Sequence, residues 1–283
     1  MHNPEPNDRL LFGFPEEWKA FRERHAMFLG RFPNMTNAVT SAFARTLQNT
    51  EPIEKFIFLY GRLCMEDFYE VMLCCGNGYG WGAMKLLRAL YEKAVTLEYL
   101  NEHPEELQVF FDYHYVAQHK LLNSVTEVFG EGVLPDEVQE QTVAAFERVK
   151  EQFMISKCKK CDTKQLNHSW NKLNFVAMAK STRNLGKFIH SAYYVPMRHT
   201  HSTAAALFER LDHGLEGIMF NPEPQRPQAD TALRTAHTIV LEVLHIQQKR
   251  FTIPGFDHLL DQCSRDWMEI GGIDEEDRVP CTS

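Results

Sequence analysis

Four glycines fall within seven residues at Gly76-Asn77-Gly78-Tyr79-Gly80-Trp81-Gly82, and they separate a pair of long apolar runs. A glycine inside a helix costs about 1 kcal/mol relative to alanine. A cluster this dense therefore ends one helix and lets the chain turn into the next. The upstream run, Pro52 to Cys75, is apolar on almost every side (Ile53, Phe56, Ile57, Leu59, Leu63, Phe68, Val71, Met72), as expected of a central helix covered all round. The downstream run, Tyr79 to Asn101, is closed by Pro104 and carries Arg88 and Glu92 one turn apart. Their neighbours Leu86, Leu87, Ala89, Leu90, Tyr91, Ala94 and Val95 are apolar. Charges in such a stretch either join the central helices as an ion pair or serve a ligand. An arginine held by a glutamate is suited to a phosphate or carboxylate.

Helical periodicity extends over the rest of the chain, and alternating strand patterns are nearly absent. Helices are predicted over Pro15 to Arg31, Asn34 to Gln48, Glu105 to Phe129, Pro135 to Phe153, Trp170 to Tyr194, Ser202 to Leu215, Thr231 to Arg250 and Phe256 to Ile270. Pro196 is read as the end of the 170–194 helix, and 221–229, with three prolines, as a surface loop. The expected fold is all-α: a single helical bundle domain of about ten helices over 51–270. An N-terminal helical extension over 1–50 precedes it, and a disordered acidic tail over 271–283 follows.

The formal net charge of -8 supplies no whole-molecule basic field for double-stranded DNA or an anionic membrane. The most apolar stretch, Phe56 to Cys75, is interrupted by Arg62, Glu66, Asp67 and Glu70, which argues against a membrane span. Met1 to Pro6 has neither the basic start nor the apolar run of a signal peptide. Seven cysteines, an odd count, read as reduced thiols, so a cytoplasmic protein is expected.

A second constellation is Tyr193-Tyr194-Val195-Pro196-Met197-Arg198-His199-Thr200-His201-Ser202-Thr203. Two histidines beside an arginine, at a turn where Ser202 or Thr203 can cap the next helix, suit anion binding or acid–base chemistry. The plain alternative is that His199 and His201 only satisfy backbone groups at a turn. Arg88 and Glu92 are expected to meet the turn bearing Tyr194, His199 and His201, forming a ligand-binding cleft.

The pattern Gly82-Ala83-x-x-Leu86-x-Arg88-Ala89-x-x-Glu92, then Trp170, then Tyr193 and His201-Ser202-Thr203, resembles a bacterial helical family catalogued as domain of unknown function 5677, over roughly residues 60–215. Its helical arrangement looks like the HEPN superfamily, many of whose members are metal-independent ribonucleases of stress and phage-defence systems. The resemblance implies an arginine five to seven positions before a histidine, in a homodimer cleft. Seven before His201 stands Tyr194, whereas Arg183 and His190 do keep the spacing, with Asn184 after the arginine. If both lie on one helix they share nearly one face. Arg183/His190 or Arg198/His201 would then be the catalytic groups acting on RNA. The other reading is a non-catalytic helical module binding a small anionic ligand or a partner protein, anchored by Arg88.

Cys158-Lys159-Lys160-Cys161, with His168 seven residues beyond, offers three of the four ligands of a structural zinc, and the fourth would come from Cys64, Cys74, Cys75 or Cys263. The competing reading is a solvated basic loop with two idle thiols. Glu242-Val243-Leu244-His245 has the ExxH spacing of di-iron bundles, but no second ExxH exists to complete such a site.

Overall fold

The computed structural model describes residues 14–48, 50–158, 161–200, 203–214 and 217–271. In chain order, α1 (Pro15–Arg24), α2 (Ala26–Phe43), α3 (Pro52–Gly76) and α4 (Gly80–Glu102) lead through a 3-10 turn at Pro104–Glu106 into α5 (Leu107–Phe129). Next come α6 (Asp136–Val149), a 3-10 turn at Lys150–Phe153, the strands β1 (Met154–Cys158) and β2 (Cys161–Leu166), and α7 (Phe175–Ser181). A 3-10 turn at Gly186–Phe188 and a π-helix at His190–Tyr194 precede α8 (Val195–Thr200) and α9 (Ala204–Phe208). The strands β3 (Leu211–Gly214) and β4 (Gly217–Phe220), then α10 (Arg226–Arg250) and α11 (Phe256–Gly271), complete the chain. The fold is all-α, with two antiparallel hairpins as its strands among the described residues.

The chain divides into two compact units, Met1–Glu98 with Ala179–Ser283, and Tyr99–Met178. In the larger unit α10 packs along α3, and α11 along α2. Ile57, Phe68 and Val71 of α3, Leu87, Leu90 and Tyr91 of α4, and Ile239, Val243 and Leu244 of α10 are fully buried. The smaller unit is built on α5 and α6 with the β1–β2 hairpin, around Val116, Phe146 and Phe153. There Trp170 packs edge-on against Tyr99 and Phe110, at ring distances of 5.9 and 5.3 Å.

Local chemistry explains the central turn. Glu51 and Glu54 form a reciprocal capping box at the start of α3, with Pro52 in the first helical turn, where its missing N–H costs nothing. At the other end Gly78 adopts φ +75°, a conformation few residues but glycine take readily. Its carbonyl accepts a 3.0 Å hydrogen bond from the Gln225 N–H, and a Cβ on Gly80 would collide with the Gln225 carbonyl. The glycines therefore reverse the chain and admit the start of α10. Beside them the buried Glu17 receives the Arg226 guanidinium, and that hydrogen bond holds its carboxyl below the usual range.

Several sequence expectations need correction. The α1–α2 break falls at His25, and α2 runs straight through Pro33. Phe28, Met35, Val39 and Phe43 keep a buried helical face on both sides of the proline. Burying each is worth about 1.5–3 kcal/mol, which together exceeds the roughly 3 kcal/mol cost of an interior proline. Residues 170–194 are not one helix. The buried carboxylate of Glu98 accepts the N–H groups of Asn184 and Leu185, both at 3.0 Å, and fixes a turn there. Pro196 does not end a helix but sits buried in the opening turn of α8. It has no N–H to give and its ring presses on the turn before, a strain the wider π-helical turn relieves. The predicted helix at 202–215 shrinks to α9, since Leu211 pairs with Phe220 across the β3–β4 hairpin and Arg210 lies 5.0 Å over the Phe220 ring. The basic segment 157–168 is largely a hairpin in which Cys158 sits opposite Cys161.

Candidate functional site

Arg88 and Glu92 lie on α4, where steps of four, three and four residues put Trp81, Lys85, Arg88 and Glu92 on one stripe. Arg88 Nε donates to Glu92 Oε1 at 2.7 Å, and its guanidinium lies 4.6 Å over the Tyr193 ring. The arginine side chain is 16% exposed and the glutamate 41%. At the other end of the stripe the His199 imidazole stacks on the Trp81 indole, with ring centroids 3.3 Å apart and planes 16° from parallel. α4 thus meets the 190–200 segment twice, Trp81 with His199 and Arg88 with Tyr193, in opposite chain directions. Tyr91 Oη, donating to the Leu185 carbonyl at 3.1 Å, and Glu98 tie the preceding turn to the same helix.

Glu209, just past α9, completes the arrangement. Its Oε2 is 2.6 Å from His199 Nε2, and its Oε1 is 2.5 Å from an Arg198 terminal nitrogen. One carboxylate thereby fixes an imidazole and a guanidinium. His199 is 6% exposed and Arg198 56%, so the first is sealed in and the second faces water. Thr203 Oγ1 donates to the Arg198 carbonyl at 2.7 Å and secures the end of α8. Lys85 is exposed and forms no ion pair among the described residues. Behind Arg88, Lys93 meets Asp67 at 2.6 Å, and burial pushes the Tyr60 hydroxyl up to about 12.

The structure joins some predicted residues and separates others. Arg88, Glu92, Arg198 and His199 all enter these linked contacts, while Tyr194 is 40% exposed at the end of the π-helix. Arg183 is exposed in the turn fixed by Glu98, and His190 is exposed at the first residue of the π-helix. The two are not on one helix, so the shared face expected from their spacing is absent. His201 lies outside the described residues, as do the side chains of Cys158 and Cys161 and the tail from 272 onward. His168 is exposed after β2, and among the described residues no three of His, Cys, Asp and Glu converge as metal ligands. Burial pushes the thiols of Cys64, Cys74, Cys75 and Cys263 up, away from the thiolate a metal or a redox reaction uses. Glu242 pairs with Lys187 at 3.8 Å, and His245 lies 3.3 Å from Gln248.

Sequence reasoning missed Trp81, Glu209 and Glu98. Trp81 was legible, since it stands seven residues before Arg88 on the same helical stripe. Glu209 was not, because its reach to α8 depends on where α9 stops.

A family described as a family of unknown function (DUF5677) matches residues 56–218, more than half of the chain. The chain belongs to this family. The matched span contains the α4 stripe, the π-helix, Arg198, His199 and Glu209. No curated protein and no solved structure matches the chain. No described helix is long and apolar enough to cross a membrane.

Proposed function

We propose that the α4–α8 face is a recognition site for a phosphate-bearing anion, in a helical module that binds its ligand without transforming it. One observation carries this reading: Arg198 faces water, yet Glu209 holds it in place by the same carboxylate that grips the buried His199. A guanidinium fixed beforehand loses little freedom on meeting a phosphate and presents its remaining donors as a fork. The charge balance supports it, with Lys85, Arg88 and Arg198 set against Glu92 and Glu209. So does the π-helix, a rare geometry that recurs at functional sites. His199, stacked under Trp81 and bonded to Glu209, is a positioning residue.

Calorimetric titration with inorganic pyrophosphate at low salt tests the proposal. A charge-assisted contact is worth about 1.5–3 kcal/mol, so Arg198→Ala should weaken binding by roughly ten- to hundredfold. Raising the salt should weaken wild-type binding as well. Equal affinity of the Arg198→Ala and wild-type proteins would remove the reading.

A second reading is cleavage of RNA without metal by a HEPN-like cytoplasmic homodimer. The exposure of both Arg183 and His190, with the π-helix opening at His190, favours it. Arg183 would neutralise the phosphate while His190 takes the proton from the attacking 2′-hydroxyl. The products would be a 2′,3′-cyclic phosphate and a 5′-hydroxyl. RNA left whole by wild-type protein, or cut equally fast by His190→Ala, counts against it.

A further inference from the structure

A different region of the larger unit holds a cavity of about 470 Å³, outside the span matched by the family. Its apolar lining comes from Met27, Phe28, Leu233, Trp267 and Ile270, contributed by α2, α10 and α11. Its polar lining includes Glu23, Arg24, His25, Asp230 and Arg234. We infer that this cavity binds a small aromatic monocarboxylate, its ring against Trp267 and Phe28 and its carboxylate between Arg234 and the start of α2.

The apolar side is already arranged for stacking. Trp267 lies flat on His237, with ring centroids 4.3 Å apart and planes 18° from parallel, and Phe28 meets His237 edge-on at 5.4 Å. A rigid indole held this way offers its area to a planar ligand at little entropic cost.

On the polar side Arg24 is already engaged by Asp230 and by the buried Glu17, which leaves Arg234 as the available cation. Asp230 is taken by His25 at 2.8 Å and by Arg24 at 3.5 Å, while Arg234 is exposed and has no ion pair among the described residues. α2 opens at Ala26 without a side-chain cap, and the early N–H groups of a helix have no partner inside it. A carboxylate at that position satisfies them and gains from the helix dipole. Glu23 and Asp230 in the same lining disfavour a second negative charge, which directs the site to monoanions rather than to phosphates.

His237 backs the aromatic wall from behind, against Trp267 and Phe28. Its side chain is buried, and neither ring nitrogen has a hydrogen-bond partner among the described residues. Packing alone would be served better by phenylalanine, because a buried polar group without a partner is costly. The imidazole also lines a smaller space of about 10 Å³, with Cys263 and Asp266, and this space shares Phe28 and Ile270 with the cavity. The imidazole does not line the cavity itself, and reaches it only through the Trp267 and Phe28 rings.

Calorimetric titration of the full chain with 2-naphthoate, and with the neutral isostere 2-naphthamide, tests the inference. The expected result is one site for 2-naphthoate, with 2-naphthamide bound at least about tenfold more weakly. Arg234→Gln should weaken the carboxylate about tenfold and leave the amide unchanged. Ala26→Trp should block both ligands. Both positions are exposed, so each variant should keep the wild-type circular dichroism spectrum. Arg198→Ala should leave 2-naphthoate binding intact, which separates this site from the phosphate site. Absence of 2-naphthoate binding, equal affinity for acid and amide, or wild-type binding by Ala26→Trp would overturn it.

Discussion

At the scale of single residues, three buried polar groups govern how the larger unit answers to acid and to mutation. His237 is pushed down to about 4 from its ordinary value of 6.5, chiefly because burial disfavours its charged form. Between pH 6.5 and 4 the unfolded chain takes up a proton here that the folded chain refuses, so stability falls as the pH drops through that window. The full shift corresponds to about 3 kcal/mol at 1.36 kcal/mol per pKa unit. His237→Phe keeps a ring against Trp267 and should flatten the loss of stability, measured by urea unfolding at about pH 7 and pH 5; an unchanged pH dependence would contradict this. Glu17 acts lower on the scale. Its carboxyl is held below the usual range by Arg226, so its contribution is present above the unfolded pKa and is lost as the pH falls through the folded one. Glu98 is the third buried group. Glu98→Gln removes one of the two acceptors of the Asn184 and Leu185 N–H groups and should cost about 1–3 kcal/mol, with faster hydrogen exchange at those amides. Residue identity revealed only some of this. Arg88 and Glu92 stood out because they were charges in an apolar run, whereas Glu98 and Glu209 look like ordinary helical glutamates until their partners are known.

Among the elements, α3 and α4 were legible because glycines, a capping box and unbroken apolar periodicity agree about where they lie. The 183–209 segment was not, for its helical pattern is overruled by tertiary contacts: the Glu98 carboxylate makes the turn, Pro196 forces the wider π-helical turn, and Phe220 takes Leu211 and Arg210 into a hairpin. Pro33 misled in the other direction, since a buried face on both sides outweighs one lost hydrogen bond. The strands escaped because neither hairpin alternates apolar and polar residues clearly. Gly80→Ala tests the close approach at the central turn. The added methyl meets the Gln225 carbonyl, and overpacking of this kind costs about 1–3 kcal/mol. A melting temperature equal to that of the wild type would show that the turn has room to spare.

On the scale of the whole molecule, the family-matched span holds the α4–α8 face, while the aromatic-walled cavity is built by α1, α2, α10 and α11 outside it. The all-α class was legible from periodicity; the division into two units, Met1–Glu98 with Ala179–Ser283 and Tyr99–Met178, was not, because no composition shift marks residues 98 or 178. The pairing of α3 with α10 joins segments far apart in sequence and buries both central faces, so their amides should be among the slowest to exchange with deuterium, and rapid exchange there would refute this packing. Central to the function proposed is that an anion binds at Arg198, fixed by Glu209 beside His199 and Trp81. Crystals soaked in tungstate measure this directly through anomalous scattering. The expected result is a peak within hydrogen-bond reach of the Arg198 guanidinium that disappears in Arg198→Ala crystals. A well-ordered Arg198 with no peak beside it, or a peak that persists in the variant, would contradict it.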